Sequence, residues 1–136
     1  MTNAPLPSVF TREPVSVFVA TSDATRALAF YRDTLGLNLT QNDQFALTFD
    51  LNGVRLRVQI VAEVTVAPYT ALGWEVDDVP AMAKRLGAAG VEMARFPGVD
   101  QDEAAVWTSP DGTRVAWFKD PEGHILSIDD SRHRRQ

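Results

Sequence analysis

Residues 117–128 read WFKDPEGHILSI. An apolar run, Val115-Ala116-Trp117-Phe118, meets Asp120-Pro121-Glu122-Gly123, and a second run, Ile125-Leu126-Ser127-Ile128, follows. Proline presets φ for the first corner of a tight turn and glycine supplies the positive φ that a later corner needs, so the pattern predicts an antiparallel hairpin. Turns of this composition are common, and the weight of this one comes from repetition. Gly53 in DLNGVRL answers Gly123 in DPEGHIL. Residues 21–37, TSDATRALAFYRDTLGL, and residues 75–91, EVDDVPAMAKRLGAAGV, share one grammar of strand end, capping aspartate, helix and glycine stop. Asp23 aligns with Asp78, Ala27 with Met82, and Gly36 with Gly90 after a one-residue slip. The chain is therefore read as two copies of one unit, each contributing a matching layer to a shared structure.

In order, residues 1–14 form a proline-punctuated N-terminal arm, 15–61 the first module, 62–70 a linker containing Pro68, 71–129 the second module and 130–136 a basic tail. The first strand, 15–21, alternates Val15, Val17 and Val19 with Ser16, Phe18 and Ala20, and the valine face predicts a helix packed against it. That helix is expected over 24–35, capped near Ser22 or Asp23 and stopped at Gly36, with Ala24, Ala27, Leu28, Tyr31 and Leu35 as its apolar stripe. Phe30 and Tyr31 are assigned to packing. Strands follow at 37–40, 45–50 and 54–61, the last two joined by the Asn52-Gly53 hairpin signal. In the second module strand 71–76 should pack Leu72, Trp74 and Val76 on a helix over 80–89, which has Asp78 as cap and proline in its first turn. Strands are expected at 91–94, 104–108, 114–119 and 125–129. Residues 95–103, RFPGVDQDE, read as a solvated loop of the kind that can act as a lid.

The FYRDTLGL helix end, the EVDDV strand and aspartates, and the FKDPEG turn before a final strand resemble, in order and spacing, the vicinal-oxygen-chelate superfamily of glyoxalase, bleomycin-resistance and extradiol-dioxygenase proteins. The resemblance covers residues 15–128. It implies an α+β fold of two βαβββ modules forming a curved mixed sheet around a cleft, with the helices outside, and a homodimer. It is much less specific for function, because one fold hosts many chemistries.

Metal-dependent members of that family hold a divalent ion in the cleft through His, Glu or Gln on the first and last strand of each half. Carried over, those positions are Ser16, Arg57, Ala71 and Ser127. None is a usual ligand, and Arg57 brings a fixed positive charge to the place of a cation. No metal and no other cofactor is expected. Glu75, Gln59 and Asp129 share the implied cleft face, but histidine is absent from its strands; His124 reads as a turn residue and His133 as part of a disordered tail.

The ligand-contact candidates are Phe18, Arg55, Arg57, Gln59, Glu75, Trp117 and Ser127, with Glu75 either an exposed strand carboxylate or an acid–base group if buried. The face of Trp117 is open, because Phe118 competes for the core. The leading expectation is metal-free binding of an aromatic or anionic small molecule. The alternative is a metal-using enzyme resembling glyoxalase or an extradiol dioxygenase.

Composition narrows the partners. With 136 residues and 45% apolar content the chain suits one compact domain or two halves sharing a core. It has no cysteine, which removes disulfides, thiolate metal sites and a cysteine nucleophile, and favours a reducing cytoplasm. A net charge of −5 argues against nucleic acid, whose binding needs clustered Lys and Arg. The start, MTNAPLPSVFTREP, lacks the apolar stretch of a signal peptide, and no later run reaches the roughly 20 residues needed to span a bilayer, so the expectation is a cytoplasmic protein away from membranes.

Overall fold

The structure, a computed structural model, describes residues 9–133. Most of the N-terminal arm and the last three residues of the tail therefore lie outside the described residues. The first module runs β1 (Ser16–Thr21), α1 (Ala24–Leu28), a π-helical turn (Ala29–Thr34), β2 (Asn38–Asn42), β3 (Ala46–Leu51) and β4 (Val54–Ile60). The second runs β5 (Thr70–Glu75), α2 (Val79–Ala88), β6 (Glu92–Ala94), β7 (Val106–Thr108), β8 (Arg114–Lys119) and β9 (Ile125–Asp129), and a 3₁₀ turn (Ser131–His133) follows.

The duplication is visible in the pairing. One sheet has the order β1-β4-β3-β2 and the other β5-β9-β8-β6, with β7 also on β8. In each, the first strand lies parallel to the last while the hairpin strands are antiparallel. Both helices start as the sequence predicts: Asp23 accepts from the Arg26 N–H and Asp78 from the Ala81 N–H, each at 3.0 Å.

The first helix departs from expectation in its second half. Leu35 N–H donates to Phe30 O at 2.9 Å, a five-residue step, and the Thr34 hydroxyl donates to Ala29 O. Neighbours in a regular helix stand about 100° apart, yet Phe30 and Tyr31 are both buried, edge to face at 5.0 Å. The wide turn coincides with this pair.

The four strands expected after α2 are all present, but they do not form four separate rows. β6 pairs with Trp117–Lys119 and β7 with Arg114–Ala116, so the two are collinear pieces of one edge strand. Residues 95–105 loop out between them, and the βαβββ plan survives with its edge strand interrupted. The loop is exposed in part but internally tied. The Gln101 side chain donates to Ala94 O and Ala105 O, both at 2.9 Å, and accepts from Phe96 N–H at 2.8 Å. Arg95 reaches the carbonyls of Asp102 and Glu103 at 2.8 and 3.0 Å.

The hairpins also diverge. The first is a two-residue turn in which Asn52 and Gly53 both take positive φ, 53° and 93°, as a type I′ turn requires. The second spans five residues between Lys119 and Ile125. That wider loop docks on the first module. Asp120 is buried; its Oδ1 accepts from the N–H groups of Glu122 and His124 at 3.0 and 2.9 Å, and its Oδ2 from the Tyr31 hydroxyl at 2.6 Å. Just after the turn, buried His124 has its Nε2 2.7 Å from Ala20 O, a carbonyl that can only accept. Glu122 Oε2 takes Ser22 N–H at 2.8 Å, the Thr21 hydroxyl at 2.9 Å and the Arg26 guanidinium at 3.2 Å. One apolar cluster then runs through both modules, from Val19, Tyr31, Phe49 and Leu56 to Val79, Phe118, Leu126 and Ile128.

The tail is not disordered as far as it is described: Arg132 pairs with Asp77, and His133 Nε2 lies 2.9 Å from the same carboxylate.

Two predictions follow from the docked hairpin. Tyr31→Phe removes a buried donor from a carboxylate and should cost about 2 kcal/mol, read from urea unfolding; an unchanged midpoint would show that the bond contributes nothing net. The Glu122 carboxyl is held below its ordinary range, first by the Ser22 N–H and then by the hydroxyls and Arg26 that outweigh its desolvation. Its folded value lies below its unfolded one, so its contribution is present above about pH 4 and lost as pH falls through the folded value. Glu122→Gln should therefore lower stability near neutrality and flatten the acid limb of a stability profile, whereas parallel profiles for the two proteins would contradict the assignment.

Candidate functional site

Period-two alternation puts one face of each sheet against its helix and leaves the other free of helical cover. On the first sheet, Val17, Val19, Leu56, Val58, Leu47 and Phe49 point to the core. The opposite face carries cross-strand rows: Ser16, Arg55 and Asp50; Phe18, Arg57, Thr48 and Gln41; Ala20, Gln59 and Ala46. Four sequence candidates, Phe18, Arg55, Arg57 and Gln59, thus share one surface with Ser16. Phe18 is 52% exposed, unusual for phenylalanine on a strand with a core on its other side. Arg57 is half-buried, and its Nε is fully covered with no hydrogen-bond partner. Ser16, Asp50 and Arg55 also border a depression of about 590 Å3 at the start of β1.

On the second sheet the helix-free face carries the rows Gly73, Ser127, Trp117 and Ala94, and Glu75, Asp129, Val115 and Trp107. The competition between Trp117 and Phe118 resolves as two faces. Phe118 is buried against Trp74 on the helix side, while Trp117 lies opposite, 6.2 Å from Trp107 and edge to face with Phe96 at 5.4 Å. Trp107 and Phe96 were not among the sequence candidates. Alternation along 104–108 carries a signal for Trp107, which stands one residue from buried Val106; Phe96 sits in a loop and carries none. Ser127 is buried, and its hydroxyl occupies the space that a Cβ at Gly73 would need. Glu75 is exposed and sits across from Asp129, with the Ser131 hydroxyl donating to its Oε1 at 3.1 Å, so the burial that acid–base work would need is missing.

The implied metal positions can be judged by donor chemistry. Ser16 and Ser127 offer neutral hydroxyls, Ala71 offers nothing and sits at a register shift in β5, and Arg57 is a cation. Among the described residues no three His, Asp or Glu side chains converge. This set does not fit a divalent ion, which needs three or more imidazole or oxyanion donors around one point.

A sequence model of the Glyoxalase/Bleomycin resistance protein/Dioxygenase superfamily matches residues 14–128. The chain belongs to this superfamily. Solved structures agree on the superfamily fold. A lactoylglutathione lyase from Agrobacterium tumefaciens superposes with a TM-score of 0.67 at 17% identity, covering 87% of this chain and 92% of that one. A superfamily member from Sphaerobacter thermophilus DSM 20745 gives 0.69 at 20% identity, covering 89% and 98%. A glyoxalase-related enzyme from Fulvimarina pelagi gives 0.65 at 22%, covering 87% of each chain. At these identities the likeness establishes fold alone. No curated protein sequence matches the chain. No helix among the described residues is long and apolar enough to cross a membrane.

Gln101 holds the loop that presses Phe96 on Trp117, so Gln101→Ala should destabilise by about 1–3 kcal/mol and change the tryptophan emission of the native state. Unaltered emission and unfolding would show that the loop is held by other means.

Proposed function

We propose that this superfamily member binds a small aromatic or anionic molecule on the helix-free faces of its sheets and does so without a resident metal. The observation that carries the reading is the residue set Ser16, Arg57, Ala71 and Ser127 at the positions where metal-dependent relatives place ligands. A cation side chain in that set repels a second cation. The half-exposed Phe18 beside Arg57, and Trp117 with its aromatic neighbours, are surfaces suited to a flat apolar group.

The competing reading is a lyase-like or dioxygenase-like enzyme with a divalent ion, which the likeness to a lactoylglutathione lyase favours. Metal content separates them. Protein dialysed against nickel, zinc and manganese and then desalted should retain far less than one equivalent by plasma mass spectrometry. Near-stoichiometric metal would overturn the metal-free reading and put the enzyme first.

We also propose a homodimer, supported by the exposed rings of Phe18, Phe45 and Tyr69. Light scattering at micromolar concentration should give twice the chain mass, and a single monomeric species would count against it.

A further inference from the structure

Among the described residues, the buried side-chain nitrogens and oxygens all have a hydrogen-bond partner except one, Nε of Arg57. Arg57 makes no ion pair within the described chain, whereas Arg26, Arg32, Arg114 and Arg132 each sit on a carboxylate. The Asp43 carboxylate senses its charge, but it is already engaged by the N–H groups of Phe45 and Ala46 and the amide of Gln41. Leaving a buried donor unpaired costs about 1–3 kcal/mol, and more when the group is charged. The side chain as a whole is only partly buried, so an anion arriving at its exposed part would offset the cost of holding the charge there.

The surroundings restrict what that group can be. The guanidinium is a planar fork that matches a carboxylate through two parallel N–H···O contacts. Beside it, directly across the parallel β1–β4 pair, stands the half-exposed Phe18 ring. Thr48 and Gln41, which can donate or accept, complete the row. We infer that Arg57 binds the carboxylate of an aromatic acid whose ring lies against Phe18, so that the position that holds a metal ligand in metal-dependent relatives here holds the substrate's anion directly. The inference rests on the reading of the helix-free face as the ligand site and narrows it to one chemical class.

The test uses paired probes that differ only in charge: 2-naphthoate with 2-naphthamide, and indole-3-acetate with indole-3-acetamide. Each is titrated into the full chain by protein-observed NMR, and into Arg57→Met, Arg57→Lys and Phe18→Ala, with circular dichroism confirming that each variant is folded. In the unaltered protein the acids should bind at least about ten-fold more tightly than the amides, a difference typical of a charge-assisted pair. The preference should vanish in Arg57→Met, persist in part in Arg57→Lys, and weaken at high salt. Equal binding of acid and amide overturns the inference; if both are lost together in Phe18→Ala, ligand binding on this face still stands. Acid binding that is unchanged in both Arg57→Met and Phe18→Ala overturns the inference and the choice of face together. No binding of any acid overturns it outright.

Discussion

The buried carboxylate of Asp120 is the constraint on which the arrangement of the two modules rests. A charged group out of water must have its acceptor sites filled, and this one takes two N–H groups from its own turn and the hydroxyl of Tyr31 from the other module. The first two bonds shape the hairpin and the third ties it to the first helix. Burial, with the Asp120 charge beside it, pushes the Tyr31 phenol far above its ordinary proton affinity, so the donor stays protonated across the accessible pH range. Around this point His124 grips β1 at Ala20, and Glu122 grips its end at Thr21 and Ser22. Because β1 carries Phe18 and Ser16, whatever fixes β1 against the second module also fixes the helix-free face of the first sheet.

The duplicated unit has diverged where the halves do different work. The first module closes its central hairpin with two residues and keeps its edge strand whole. The second lengthens the hairpin to reach across to Tyr31, and splits its edge strand so that residues 95–105 can lay Phe96 on Trp117. In both modules the first and last strands remain parallel partners, with a register shift near Ala71 in the second. That pairing holds the core, and the loops and edges around it are free to change.

Much of this was legible from local chemistry. Asp23 and Asp78 before helical periodicity, and Asn-Gly and Pro-Glu-Gly between apolar runs, are short-range signals with one physical solution each, and the elements they mark are present. The alternation in Val54–Ile60 placed Arg55, Arg57 and Gln59 on one face because a one-residue slip would bury three polar side chains. What was not legible depended on distant partners. The π turn accompanies the burial of both Phe30 and Tyr31, and Tyr31 meets Asp120 from 89 residues away. The interrupted edge strand depends on Gln101 finding two carbonyls, which a polar loop sequence does not announce. His133 was read as disordered tail because its partner, Asp77, lies 56 residues earlier.

The two faces of each sheet answer to different selection by physics. A core-facing residue is fixed in size and polarity by close packing, so substitution there costs stability at once. The helix-free face is bound only by the requirement that polar groups keep water or a partner. A fold of this kind can therefore carry an arginine at position 57 without disturbing Val58 or Leu56 on either side of it, and that arginine offers a positive charge to whatever enters. Backbone likeness carries no record of that charge, since superposition of backbones is blind to side chains. The covered, unpaired Nε of Arg57 would be costly in a protein in which nothing else met that guanidinium.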